Sequence, residues 1–153
     1  MYQFSAGQRI LSDSIKVSVD IKPQSCPIPI NTSSKGVLPA AILGTDDLDV
    51  TQIDPATLRL TDVAPLRWSL GDESTPFVPF VGKKNCQDCN ELGPDGYLDL
   101  TLKFKSLEVV AALGDVNDLD CIVLTLKGSL KEEFGGTPII GEDVVVILKK
   151  GKR

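Results

Sequence analysis

Asn85 to Phe104 reads NCQDCNELGPDGYLDLTLKF, and runs from a polar loop through a turn into a strand. From Leu98 the residues alternate. Leu98, Leu100, Leu102 and Phe104 fall on one face and Asp99, Thr101 and Lys103 on the other, the period of a half-buried β-strand. Ahead of the strand, the Gly93-Pro94-Asp95-Gly96 turn gathers Asp88, Glu91, Asp95 and Asp99 into a short stretch. A hard cation needs several oxygens drawn together by a tight turn, and carboxylates packed this closely repel unless something neutralises them. The stretch therefore predicts a calcium-type loop on a β-sandwich, with Asp88, Asn90, Asp95 and Asp99 as oxygen ligands. It is not an EF-hand, because the step from Asn90 to Asp95 is too long and no Glu closes the loop.

Upstream, Ile15 to Lys22 alternates again, with Ile15, Val17, Val19 and Ile21 as its apolar face, and Pro23 ends it. A Pro/Ser-rich connection leads to Val37–Leu43, VLPAAIL, a strand covered on both faces in which Pro39 predicts an edge or a bulge. Short strands are expected at Leu58–Leu60 and at Arg67–Leu70, around the single Trp68. Downstream, Leu107–Leu113 fits one helical turn or a short strand equally. Strands follow at Cys121–Lys127 and Asp143–Lys149. About seven to nine short strands separated by turns read as an all-β antiparallel sandwich with long loops, immunoglobulin-like or jelly-roll.

The 153 residues make one such domain, 15–149, preceded by an arm at 1–14 and followed by a basic tail at 150–153. In the arm, Tyr2 and Phe4 alternate and Ile10 and Leu11 follow, either as a frayed terminus or as a strand added to a neighbouring subunit. A net charge of −5 and pI near 4.7 disfavour nucleic acid and anionic membrane surfaces. No apolar run is long enough to span a bilayer. Histidine is absent, which removes the commonest general base, and neither a nucleophile elbow nor a phosphate-binding loop is spelled out.

The four cysteines fit two disulfides in an oxidising compartment or, in a cytosolic protein, a zinc site. Of the three possible pairings, Cys26–Cys121 with a local Cys86–Cys89 bridge is expected. Two further acidic turns are weaker metal candidates: Asp115, Asn117, Asp118 and Asp120, and Asp46, Asp47 and Asp49. Turns of this composition are common without metal.

Val19–Asn31, VDIKPQSCPIPIN, followed by SKGVLPAAIL at 34–43 and IDPAT at 53–57, resembles a module recurrent in secreted bacterial and archaeal proteins. Its later DxNxDGxxDLxLxF pattern is matched by Asp88, Asn90, Asp95-Gly96, Asp99-Leu100, Leu102 and Phe104. The resemblance covers about Val17 to Leu148 and implies an extracellular β-sandwich with calcium binding and no known catalysis. Leu92-Gly93-Pro94 stretches the usual spacing, which sets Asp95 and Asp99 ahead of Asp88 and Asn90 as ligands.

These readings together predict a non-catalytic structural protein at the cell surface or outside the cell. Calcium would stabilise it, and it would assemble into a homo-oligomer, filament or tube through Tyr2, Phe4, Ile10 and Leu11. The alternative is a carbohydrate-binding or adhesion module, with polysaccharide as partner.

Overall fold

The computed structural model describes residues 14–149, which form two facing β-sheets around one core. The strands are β1 (Ile15–Lys16), β2 (Ser18–Ile21), β3 (Pro29–Asn31), β4 (Val37–Leu43), β5 (Ile53–Leu60), β6 (Arg67–Gly71), β7 (Asp99–Lys105), β8 (Cys121–Leu130) and β9 (Pro138–Leu148). One sheet runs β1-β9-β8-β5, with β3 also on β9, and the other runs β2-β4-β7-β6. The β-sandwich expected from the alternation is the fold observed. Leu100, Leu102 and Phe104 are buried as their spacing predicts, together with Ile42, Leu58, Leu124 and Ile147.

Three local features depart from the sequence reading. Ile15–Lys22 is not one strand but two. Its first residues pair with β9 and its later ones with β4, so the chain changes sheets at Val17. At that crossing Gly141 of β9 has no room for a side chain: a Cβ there would lie 2.6 Å from the Val17 carbonyl oxygen and 2.5 Å from Val19 Cγ2. Second, the sandwich is not wholly antiparallel, since β1 and β3 both run parallel to β9. Third, Pro39 sits in a central strand, paired with Lys103. Its carbonyl accepts from Lys22 N at 2.8 Å, so its missing N–H falls where β2 has already ended.

The undecided segment is a helix, α1 (Ser106–Leu113), closed by Gly114 at φ 74°. Val109 on its inner side is buried. The segment 1–13, with Tyr2, Phe4, Ile10 and Leu11, and the tail 150–153 lie outside the described residues.

The free edges of the sheets are protected unequally. The edge of β9 between β1 and β3 is closed by the 77–86 loop, where Glu142 N donates to Phe80 O at 3.2 Å. The outer edge of β2 meets a buried ion pair: Lys83 Nζ donates to Val19 O, and Asp143 Oδ2 accepts from Ile21 N at 2.8 Å. β5 carries a register shift, a proline and Arg59, whose guanidinium donates to the Ala56 and Leu58 carbonyls. Among the described residues, strand β6 has none of these devices and lies at the end of its sheet.

Candidate metal site

β6 and β7 are antiparallel neighbours with Gly71 opposite Asp99. That register sets Asp72, one residue past β6, beside Asp99 at the start of β7. The Pro94-Asp95-Gly96 turn then folds back onto both. One carboxylate oxygen each from Asp72, Asp95 and Asp99 lies within 4.8 Å of the others, and among the described residues this is the one such group of three.

The trio is also a hydrogen-bonding hub. Asp99 Oδ1 accepts from Gly44 N at 2.9 Å, and its Oδ2 from Glu73 N at 2.7 Å and Ser74 N at 3.3 Å. Asp72 Oδ1 accepts from Asp95 N at 3.1 Å and Oδ2 from Gly96 N at 2.8 Å, while Asp95 Oδ1 accepts from Tyr97 N at 3.0 Å. Asp99 is fully buried, and burial pushes its carboxyl above the usual range; the negative charge of Asp72 adds to this, and the three backbone N–H bonds oppose it. A carboxylate oxygen that accepts one N–H retains a lone pair for a metal. Three hard oxygens drawn from three segments are a donor set that suits calcium more than zinc, which favours nitrogen and sulfur.

Of the four expected ligands, Asp95 and Asp99 come together and Asp88 and Asn90 do not. Asp88 caps a turn: its Oδ2 accepts from Lys84 N at 2.8 Å and Asn85 N at 3.0 Å, and those bonds hold its carboxyl below the ordinary range. Asn90 pins the loop by donating to Thr75 O at 3.2 Å and Pro76 O at 3.4 Å, with its Oδ1 accepting from Leu92 N. The member of the acidic trio missed from sequence is Asp72. Only the β6–β7 pairing reveals it, because it lies far up the chain in a loop of ordinary polar composition.

In the weaker clusters Asp120 and Asp49 cap turns and Asp118 ties its turn to the end of β9. Asp120 Oδ2 accepts from Asn117 N, and Asp118 Oδ1 from Lys149 N. Asp115 and Asn117 are exposed and join no group of three acids. Asp49 caps a 3-10 turn by accepting from Thr51 N and its hydroxyl.

The cysteine pairing expected from sequence is corrected. Cys26 bonds Cys89 and Cys86 bonds Cys121. The 85–88 turn makes Cys86 and Cys89 diverge. Cys86 is buried with its Sγ over the Val145 carbonyl on β9, where Val146 pairs with Cys121. Cys89 instead faces the loop between β2 and β3 that carries Cys26. A C-x-x-C spelling gives a separation but not a direction. With all four sulfurs in disulfides, no thiolate remains for zinc.

A second polar cluster lies nearby, with no mark in the sequence pattern. Lys83 Nζ is 3.1 Å from Asp143 Oδ1, and both side chains are almost wholly buried. Lys83 also sits 5.7 Å from the Phe77 ring centroid. Ser74 Oγ donates to Asp20 Oδ2 at 2.6 Å, and burial, with the charges of Asp143 and Asp99, raises the Asp20 carboxyl to about 6. An acid poised there beside a lysine is a catalytic signature on paper. The space it opens on is about 10 Å³, room for a single water and not for a substrate. The cluster holds sheets together.

No family model and no curated protein matches this chain. Among solved structures it is similar to AggA, the major subunit of aggregative adherence fimbriae type I from Escherichia coli. The match has 12% identity and a TM-score of 0.29 over 88% of this chain and 94% of that one. A likeness this slight decides neither function nor assembly. Among the described residues no helix is long and apolar enough to cross a membrane.

Proposed function

We propose that this protein is a non-catalytic structural protein of the cell surface or extracellular matrix. Its sandwich is braced by calcium at Asp72, Asp95 and Asp99, and it self-assembles into a filament or tube through its N-terminal arm. The observation that carries the reading is the acidic trio. It joins the end of β6, the start of β7 and the 72–98 loop through three mutually repelling carboxylates, so a divalent cation there would brace three segments at once. Two disulfides fit an oxidising compartment. The small space around Asp20 and Lys83, about 10 Å³, favours a scaffold over an enzyme.

Sedimentation of the native chain in millimolar calcium and after chelation tests this. Assemblies in calcium that shrink with EDTA are expected, and a monomer under both conditions overturns the reading. A carbohydrate-binding module is the second reading, favoured by the exposed rings of Trp68 and Tyr97. A calcium-independent monomer that binds polysaccharide would select it.

A further inference from the structure

Backbone N–H and C=O groups at a sheet edge template another strand unless the edge is twisted, charged or covered. β9, β2 and β5 are covered or disrupted in these ways. β6 is paired on one side only among the described residues, carries a single charge at Arg67, and has no proline or bulge.

Its side chains make the same point. Trp68 lies directly opposite Leu102, and Leu70 opposite Leu100. Directly opposed residues share a face, and Leu100 and Leu102 belong to the buried core. Trp68 and Leu70 therefore extend the inner, apolar face of their sheet. Yet they are 47% and 52% exposed, and Leu66, two residues before Trp68, is 52% exposed. Among the described residues, the core face continues past the point where anything covers it.

From these observations we infer that β6 accepts residues 2–6 of a second copy as an added fifth strand of its sheet. The inference rests on the self-assembly reading above and assigns its acceptor. Tyr-Gln-Phe-Ser-Ala matches β6 in length, and in pattern it supplies what the edge lacks. Tyr2, Phe4 and Ala6 fall on one face, to lie beside Trp68 and Leu70. Gln3 and Ser5 fall on the other, beside Arg67 and Ser69.

The second copy is favoured over the chain's own segment by where that segment starts. Ser14 precedes β1, which joins β9, and the switch at Val17 leads directly into β2, at the opposite end of its sheet from β6. Reaching its own β6 would take the segment across roughly three strand spacings, about 14 Å, plus a layer of about 10 Å. A copy set alongside needs no such detour. A molecule that donates at one end and accepts at the other makes a head-to-tail contact, which propagates when the rotation does not close.

The test uses two full-length variants in calcium: Tyr2→Ser with Phe4→Ser, which disables the donor, and Leu70→Lys, which puts a charge on the acceptor. Leu70 is exposed, so the acceptor variant should keep the wild-type unfolding midpoint. Each variant alone is expected to sediment as a monomer. Mixed, they should form a one-to-one dimer that grows no further, because each keeps one working half. Assemblies that survive Leu70→Lys but not the donor substitutions overturn the β6 assignment and leave self-assembly standing. Wild-type chain that stays monomeric overturns both, including the case in which each chain closes on its own edge. Assemblies insensitive to either variant overturn the inference as well.

Discussion

Asp20 spends part of its hydrogen-bonding capacity on Ser74 and the rest of its surface against buried neighbours, so its folded-state carboxyl titrates near 6 rather than 3.8. A raised pKa means the folded state binds the proton more tightly than the unfolded chain does. The associated stability is fully present below about 3.8 and is lost as the pH rises through about 6. Asp20→Asn keeps an acceptor for Ser74 and removes the charge. It should stabilise the protein by about 2 kcal/mol at pH 7.5 and have little effect near pH 3.5. Urea denaturation of both proteins at the two pH values reads this directly, and an equal effect at both would contradict it. At the same scale, Gly44 packs so closely on the Leu98 carbonyl that no Cβ fits while its N–H serves Asp99. Gly44→Ala is expected to cost about 1–3 kcal/mol from overpacking, measured by the same denaturation.

Strand β9 alternates Ile139, Gly141, Asp143, Val145 and Ile147 along its inner face, and a carboxylate is out of place in that series. Lys83 explains it. Burial outweighs the lysine's attraction and leaves the Asp143 carboxyl above its ordinary range, so the pair is held in place by geometry more than by charge. Lys83→Met strands the Asp143 charge in the interior and should cost about 3–5 kcal/mol at pH 7. Adding Asp143→Asn should recover most of that loss, because the orphan charge is gone. A double variant no more stable than the single one would contradict this account. The strands were legible in the sequence wherever period 2 ran uninterrupted, as in Leu100, Leu102 and Phe104. The sheet change at Val17 was not, because the alternation Ile15, Val17, Val19, Ile21 passes through it unbroken. That Asp95 and Asp99 would come together was legible from local density. Asp72 was hidden because its proximity is created by the β6–β7 register, and Lys83–Asp143 because two charges far apart in sequence carry no mark of being buried together.

At the scale of the molecule, the disulfides interlock. Cys86 falls inside the loop closed by Cys26–Cys89, and Cys89 inside the loop closed by Cys86–Cys121. Their sequence separations of 63 and 35 give about 4 kcal/mol for each bridge taken alone in the chain-entropy model, and somewhat less together because the loops overlap. Pulled at Ser14 and Lys149, such a chain behaves as a tether with a short stop. Tension entering at Cys26 passes through sulfur to Cys89, along the few bonds back to Cys86, and through sulfur again to Cys121. Strands β3 to β7 and helix α1, with the acidic trio among them, stay out of the load path. Only the flanks can lengthen, and the β1–β9 pairing that resists them is parallel, so its hydrogen bonds are loaded in shear, all at once, and do not peel apart one by one.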